Sequence, residues 1–579
     1  MSEANSNNDW VSIEDFPQNR TLYIDQFTKF GPVNNQERVI HQVGNIKEAF
    51  QLFMPVMDIE LCNEEGASVT ENFAITSLED FFDDSLIFQS DCLKATENRI
   101  EIYDSIIRQL ERNNILRDTI NEDSAFQNLK STIRTIIDDI QKNKLSETDD
   151  SISHFSSNSF CLLKSIVREL ENMDPDHKAK KAIFLNDDSF LEDRYRIEWE
   201  LTQWSNLFET FGTDIEKAID ACKTFRDKAT TNLQHNLSII REALIPLEVT
   251  YRTLETFYSN AGQDDISCVY LMNVRKKNLL ADDSDDRQAI KKELEKHYDR
   301  LDLKASYSLL VIPGYLGDAN NIRQWADIAF KNKVILITDF EDSKSFTELK
   351  NSLEQAKLQG QELPLANVIM TCNYILGRKM SGLAYETDDL YIPGSGALAG
   401  RMANTDAIHI AQGVVGEEYG ALDNLKSVRI GLLRSEIAVL VDYGTIPMAE
   451  IDGRVMAFSN QSLYNGSAIS HHEYPIVRVF DWIKKVLMNY MHEITLETWD
   501  SYKSSQQLKD KIQGFLNHYQ GYQYLFSDYK LGTPIQNPDT KVVTVDISIT
   551  PFYIGKNFLI KLTADEKKSQ IKADTEIVS

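Results

Sequence analysis

Clustered basic residues are missing from this chain of 579 residues, which carries 61 Lys and Arg against 89 Asp and Glu, a formal charge of -28. Phosphate contacts need such clusters, so nucleic acid is excluded as an expected partner. Long hydrophobic runs are missing as well. No window approaches the roughly eighteen apolar residues of a membrane-spanning helix, and Met1 to Asp9 lacks the charged and apolar regions of a signal peptide. The expectation is a cytoplasmic protein without direct membrane insertion. Cysteine is scarce: six residues, at 62, 92, 161, 222, 268 and 372, with no CxxC and no His at ligand spacing. That pattern favours neither a zinc site nor a disulfide framework, and reduced, mostly buried thiols are expected.

Catalytic signatures are equally thin. No Gly-x-Ser-x-Gly nucleophile elbow occurs. Gly394-Ser395-Gly396-Ala397-Leu398-Ala399-Gly400 resembles a phosphate loop, because spaced glycines let amides approach an anion at a helix start. Its context reads against that, with no apolar strand before it and no Lys-Ser or Lys-Thr after it. Pro313-Gly314-Tyr315-Leu316-Gly317 follows an apolar run and reads as a turn into the helix around Trp325. His471-His472-Glu473 is the one local group of metal-capable side chains, and adjacent histidines point different ways on a helix or a strand. The acidic run Asp282-Asp283-Ser284-Asp285-Asp286 reads as a solvated loop. No catalytic residue, cofactor or metal is expected.

What the chain does have is apolar patterning. Strands are expected at 267–273, 307–312 and 333–338, separated by helices such as 287–298 and 319–331, an alternation that indicates an α/β core. Earlier, 20–27 and 57–61 read as strands around a short helix at 45–53. Ser77-Leu78-Glu79-Asp80 carries a capping-box pattern before helical spacing through Ile102, Ile106, Ile107, Leu110, Ile115 and Leu116. A Ser- and Asp-rich stretch at 142–159 reads as a linker, and 160–173 as an amphipathic segment with Leu163, Ile166, Val167 and Leu170 on one side. Near the C-terminus, Tyr474 to Leu487 continues apolar positions 476, 480, 483, 487, 490, 491 and 494 at a period of 3.6. Val542 to Phe552 then alternates apolar with polar, and Phe558 to Leu562 reads as a second strand after a Gly-containing turn. Length alone suggests about three or four domains. The boundaries read as an N-terminal arm at 1–31, a domain at 32–141, a linker at 142–159, a helical region at 160–265, an α/β core at 266–470 and a C-terminal helix and ribbon at 471–579.

The C-terminal helix with Arg478 and Phe480, the helical stretch from Lys509 to Tyr519 and the closing ribbon together resemble the large subunit of the type VI secretion contractile sheath. The likeness extends upstream in the same order through Tyr307 to Gly317, Val368 to Asn373, Ala397 to Arg401, Ile446 to Met448 and Val455 to Ser459, and covers roughly residues 185 to 562. A second stretch, about 20 to 140, is similar to the small subunit of the same sheath. The chain looks like both subunits joined in tandem.

The resemblance implies a multi-domain α/β protomer, not an enzyme, that forms a helical homo-oligomer around an inner-tube ring protein on baseplate proteins, with terminal strands exchanged between neighbours. It puts Arg478, Phe480, Ile483 and Leu487 on a core helix. Strand pairing between protomers is expected from Leu22, Tyr23 and Ile24 at one end and Val543, Val545, Ile547 and Ile549 at the other. Leu163, Ile166, Val167 and Leu170 occupy the place of a helix that a recycling AAA+ unfoldase recognises. Two other readings stand beside it: the sheath of an extracellular or phage-tail-like particle, and a soluble acidic α/β enzyme.

Overall fold

The computed structural model describes residues 13–28, 39–40, 42–63, 66–142, 166–167, 191–262, 268–380, 388–405, 408–495, 499, 502–521 and 524–553, and strand backbones at 558–560, 563–566, 569–572 and 576–578. In chain order the first strands are β1 Thr21–Asp25, β2 Val39–Ile40, β3 Val56–Cys62, β4 Ser68–Ala74, β5 Val269–Asn273, β6 Leu309–Val311, β7 Ile335–Asp339, β8 Val368–Cys372, β9 Ile375–Arg378 and β10 Leu390–Ile392. They continue with β11 Ala421–Leu422, β12 Ile446–Ile451, β13 Arg454–Ala457, β14 Asp528–Leu531, β15 Ile535–Gln536, β16 Val543–Thr544 and β17 Ile547–Thr550. The last four are β18 Phe558–Ile560, β19 Thr563–Glu566, β20 Ser569–Lys572 and β21 Glu576–Val578. Two units divide the chain, one within 1–55, 75–78 and 245–579, the other within 56–74 and 79–244.

The first unit is built on a nine-stranded sheet of order β11-β13-β12-β8-β7-β6-β1-β5-β2. Its six middle strands, β5, β1, β6, β7, β8 and β12, run parallel, and the margins are antiparallel. The reason is in the side chains. Each of β1, β5, β7 and β8 is buried at all five positions, the near-continuous apolar run of a strand covered on both faces. Helices Ala319–Lys331 and Phe346–Ala356 carry the chain from β6 to β7 and from β7 to β8, capped by Asp318 on the Asn321 amide and by Ser345 on the Glu348 amide. The strands and helices expected at 267–273, 307–312, 333–338, 287–298 and 319–331 are present within a few residues.

Among its described residues the second unit is mostly helical, with the β3–β4 hairpin beside the helices. Helices Asp91–Arg112, Asn114–Asn121, Asp123–Lys142 and Leu191–Phe211 surround a core that includes Ile106, Leu110, Leu116, Ile133, Leu201 and Trp204. Ser90 and Asn113 cap the first two of these helices. After Ser77, where a capping box is expected, comes a single 3-10 turn, Leu78–Phe81, and the α-helix begins at Asp83. The division between the units falls inside the helix Ile215–Asn260, between residues 244 and 245. Of the linker read at 142–159, all but Lys142 lies outside the described residues.

Candidate functional site

The helix Tyr474–Glu493 begins with Pro475 in its first turn, where a missing amide costs nothing. Its apolar stripe joins Ile483 and Leu487 with Trp482, Val486 and Tyr490 to Leu508, Ile512, Phe515 and Leu516 of the helix Lys503–Tyr519. The Trp482 indole donates to the Phe16 carbonyl at 3.0 Å, which ties the N-terminal segment to this helix pair. Arg478 is buried and donates to the Met402 carbonyl at 3.2 Å, and burial pushes its pKa down to about 10. Phe480 is half-buried, with its ring 6.1 Å from that of His471.

The ribbon packs on this cluster. Chain reversal at Asn537 to Lys541 is set by the Asn537 side chain, which accepts from the amides of Asp539 at 2.9 Å and Thr540 at 3.3 Å, with Lys541 at φ 61. Strand β16 consequently pairs with β15 and β17 with β14, all antiparallel. Val543, Val545, Ile547 and Ile549 turn one face onto the helix pair together with Tyr529 and Leu531. This corrects the expected hairpin between 542–552 and 558–562. Strand β18 pairs instead with β21, and β19 with β20. Among the described residues each terminal strand pairs along one edge and not the other.

The N-terminal strand lies elsewhere. Leu22, Tyr23 and Ile24 sit in the middle of the nine-stranded sheet, Thr21 to Asp25 aligned with Val269 to Asn273 on one side and Thr21 to Tyr23 with Leu309 to Val311 on the other. Both edges are used within the chain, so the expected pairing of these residues with a neighbour is corrected: a strand buried on both faces and bonded on both edges offers nothing to a second protomer. Trp10 and Val11 lie outside the described residues, whereas Ile13 packs against the C-terminal cluster. Ile166 and Val167 are fully buried in the helical core of the second unit, and Leu163 and Leu170 lie outside the described residues.

Both glycine loops converge on one carboxylate. Asp339, at the end of β7, is fully buried and accepts from the Gly314 amide at 2.8 Å, the Ser395 amide at 2.8 Å, and the hydroxyls of Ser395 and Thr371. Burial pushes its pKa up against the pull of these donors. The start of helix Ser395–Ala403, which could have faced a phosphate, faces the protein's own anion. A short strand, β10, does precede this loop, contrary to the expectation. Gly396 and Gly400 serve packing: a Cβ on Gly396 would lie 2.5 Å from the Thr253 carbonyl, and one on Gly400 would overlap the Phe257 carbonyl. Gly314 and Gly317 turn the chain at φ 94 and 88. No sequence signal links Asp339 to Ser395, 56 residues apart.

His472 contacts the Gly466 carbonyl at 2.7 Å and His471 the Ser470 hydroxyl at 3.2 Å, and no metal-binding group of three occurs among the described residues. The acidic run is only partly solvated. Ser284 caps the helix Asp285–Tyr298, while Asp286 is buried and accepts from the Asn278 side chain at 2.7 Å. Among five described cysteines, Cys222 and Cys372 are buried and Cys62, Cys92 and Cys268 are half-buried, fewer buried than expected. No helix of the described residues is long and apolar enough to cross a membrane.

Three family models match the chain: the type VI secretion system TssC/VipB central domain at 214–465, the TssC/VipB-like C-terminal domain at 473–578 and the TssC/VipB-like N-terminal region at 145–237. The chain belongs to the TssC/VipB family. No curated protein sequence shows significant similarity to it. Among solved structures it is similar to a chain of the anti-feeding prophage baseplate, 14% identical with a TM-score of 0.40 over 55% of this chain and 81% of that one. A chain of the contracted anti-feeding prophage sheath is 14% identical with a TM-score of 0.39, covering 54% and 81%. One from the contracted sheath complex of an extracellular contractile injection system is 12% identical with a TM-score of 0.36, covering 55% and 81%.

Proposed function

We propose that this chain is the structural, non-enzymatic protomer of a contractile sheath in a type VI secretion-like injection system. Copies stack in the cytoplasm into a helical tube around a ring-forming inner tube, assemble on a baseplate, and shorten to propel the tube. The observation that carries this reading is the family match from residue 145 to 578, interrupted only at 466–472. Contraction requires neighbours that stay attached while rigid bodies rotate. Main-chain pairing along the outer edges of the terminal ribbons meets that requirement, because it holds the mesh while side-chain interfaces are exchanged. Val543, Val545, Ile547 and Ile549 then serve the neighbour through their backbone edge and their own core through their side chains.

Residues before 141 act as the counterpart of the small sheath subunit, and the position of β1 supports this: a strand from that region completes the sheet of the large part at its centre. Recycling by an AAA+ unfoldase would require Ile166 and Val167 to leave the core that now buries them.

Negative-stain images of the purified chain should show long hollow tubes. Deleting residues 554–579 should leave soluble protomers with an unchanged unfolding transition and no tubes. Compact particles from the intact chain would overturn the sheath reading in favour of an acidic α/β enzyme, and normal tubes from the truncated chain would remove the role of β18 to β21 alone.

A further inference from the structure

The helix Tyr474–Glu493 presents more positive than negative charge to a small internal cavity. Lys333, Arg478 and Lys485 line it together with one carboxylate, Asp481, and the Ser308 hydroxyl, with about 10 Å3 of room for the centre of a water-sized sphere. The carboxylate is already engaged, since Asp481 pairs with Lys333 at 3.7 Å and accepts from the Asn367 amide at 2.8 Å. Lys485 is 1% exposed and donates to the Tyr307 carbonyl at 2.8 Å and the Ser308 hydroxyl at 3.4 Å. Arg478 is 5% exposed and donates to the Met402 carbonyl. Among the described residues neither Arg478 nor Lys485 forms an ion pair, and the one carboxylate, Asp481, is shared among three cations, which leaves the cavity with an excess of positive charge. Buried charge with too little counter-charge is costly in a protein interior.

We infer that this cavity is a halide site, where one chloride ion sits between the Lys485 ammonium and the Arg478 guanidinium. Both cations keep N–H donors beyond those their carbonyl partners take. The space suits a single monatomic ion and excludes phosphate or sulfate, and Trp482 and Ile335 supply apolar walls that strengthen the attraction by keeping water out. Burial holds the Lys485 pKa down, to about 8, which still leaves it charged at pH 7. Other ionisable neighbours are Lys484, which is exposed, half-buried His471, whose pKa burial pushes down, and Tyr298 and Tyr474, whose hydroxyls burial keeps protonated.

Thermal unfolding of the full chain at pH 7 and fixed ionic strength in sodium chloride, bromide or gluconate tests the site. The midpoint should be higher in both halides than in gluconate by roughly 2 °C or more, as for any ligand that binds the folded state alone. Lys485→Met should abolish the difference, and Asp481→Asn, which takes away the cavity's carboxylate, should enlarge it. Crystals soaked in bromide should give an anomalous peak in the cavity. Equal midpoints in the three salts, a halide increment that survives in Lys485→Met, or a bromide-soaked crystal without that peak would overturn the site; the peak decides the matter if Lys485→Met fails to fold.

Discussion

Gly400 is a residue whose lack of a side chain is its function. The helix Ser395–Ala403 approaches the helix Ile215–Asn260 so closely that a methyl group on Gly400 would strike the Phe257 carbonyl. Gly400→Ala should therefore cost about 1–3 kcal/mol, the usual range for overpacking a core, read as a shift of the urea midpoint; a variant as stable as the parent would mean that the two helices part without strain. Lys485 acts through its proton. Its folded pKa of about 8 lies below the value near 10.4 of an unfolded lysine, so between those values the unfolded chain holds a proton that the folded chain has lost. Stability from this group must then rise with pH, by on the order of 2 kcal/mol between pH 7.5 and 9.5. Comparison of the parent with Lys485→Met over that window isolates the effect from the tyrosines that also titrate there. A difference between the two proteins that stays flat with pH would show that the Lys485 ammonium is not held at a cost.

Elements differ in how openly the sequence declares them. The parallel strands are legible as unbroken apolar runs such as Leu309-Leu310-Val311, and the helix Tyr474–Glu493 as a period of 3.6. Pairing is another matter, because alternation at 542–550 states that one face is covered and not which strand lies alongside. The reversal at Asn537-Pro538-Asp539 is a turn signal in its own right, and it directs β17 back to β14. Leu22 to Ile24 look like a short orphan strand because their partners lie near residues 270 and 310. Position in the sheet sets the cost of a charge. Leu22→Asp, at a fully buried place between two parallel neighbours, should cost more than about 4 kcal/mol and abolish cooperative melting of the first unit. Val543→Asp, on the half-buried face of an outer ribbon, should leave the melt cooperative. Circular dichroism melts of the two variants compare them directly, and equal losses would mean that the ribbon is as integral to the fold as the sheet.

For the whole molecule, the tandem reading makes a demand on the covalent link between residues 142 and 159. If the part before it supplies a central strand by packing alone, a protease site placed between Ser146 and Ser157 and then cut should leave two fragments that co-elute from size exclusion at micromolar concentration and still form tubes. Linkage in one chain would then serve to fix a one-to-one ratio and raise effective concentration. Fragments that separate would make the region before residue 141 an appended module. The place of β1 also sets a timetable for synthesis. Thr21 leaves the ribosome about 250 residues before its partner Val269 and later still before Leu309, an interval on the order of tens of seconds at ordinary elongation rates. For that time its five apolar-flanked positions have no sheet to enter, while the helical unit between them can already close on Trp204. The protomer is thus built from the middle outward, and its oldest strand waits for β5 to emerge before the sheet can start.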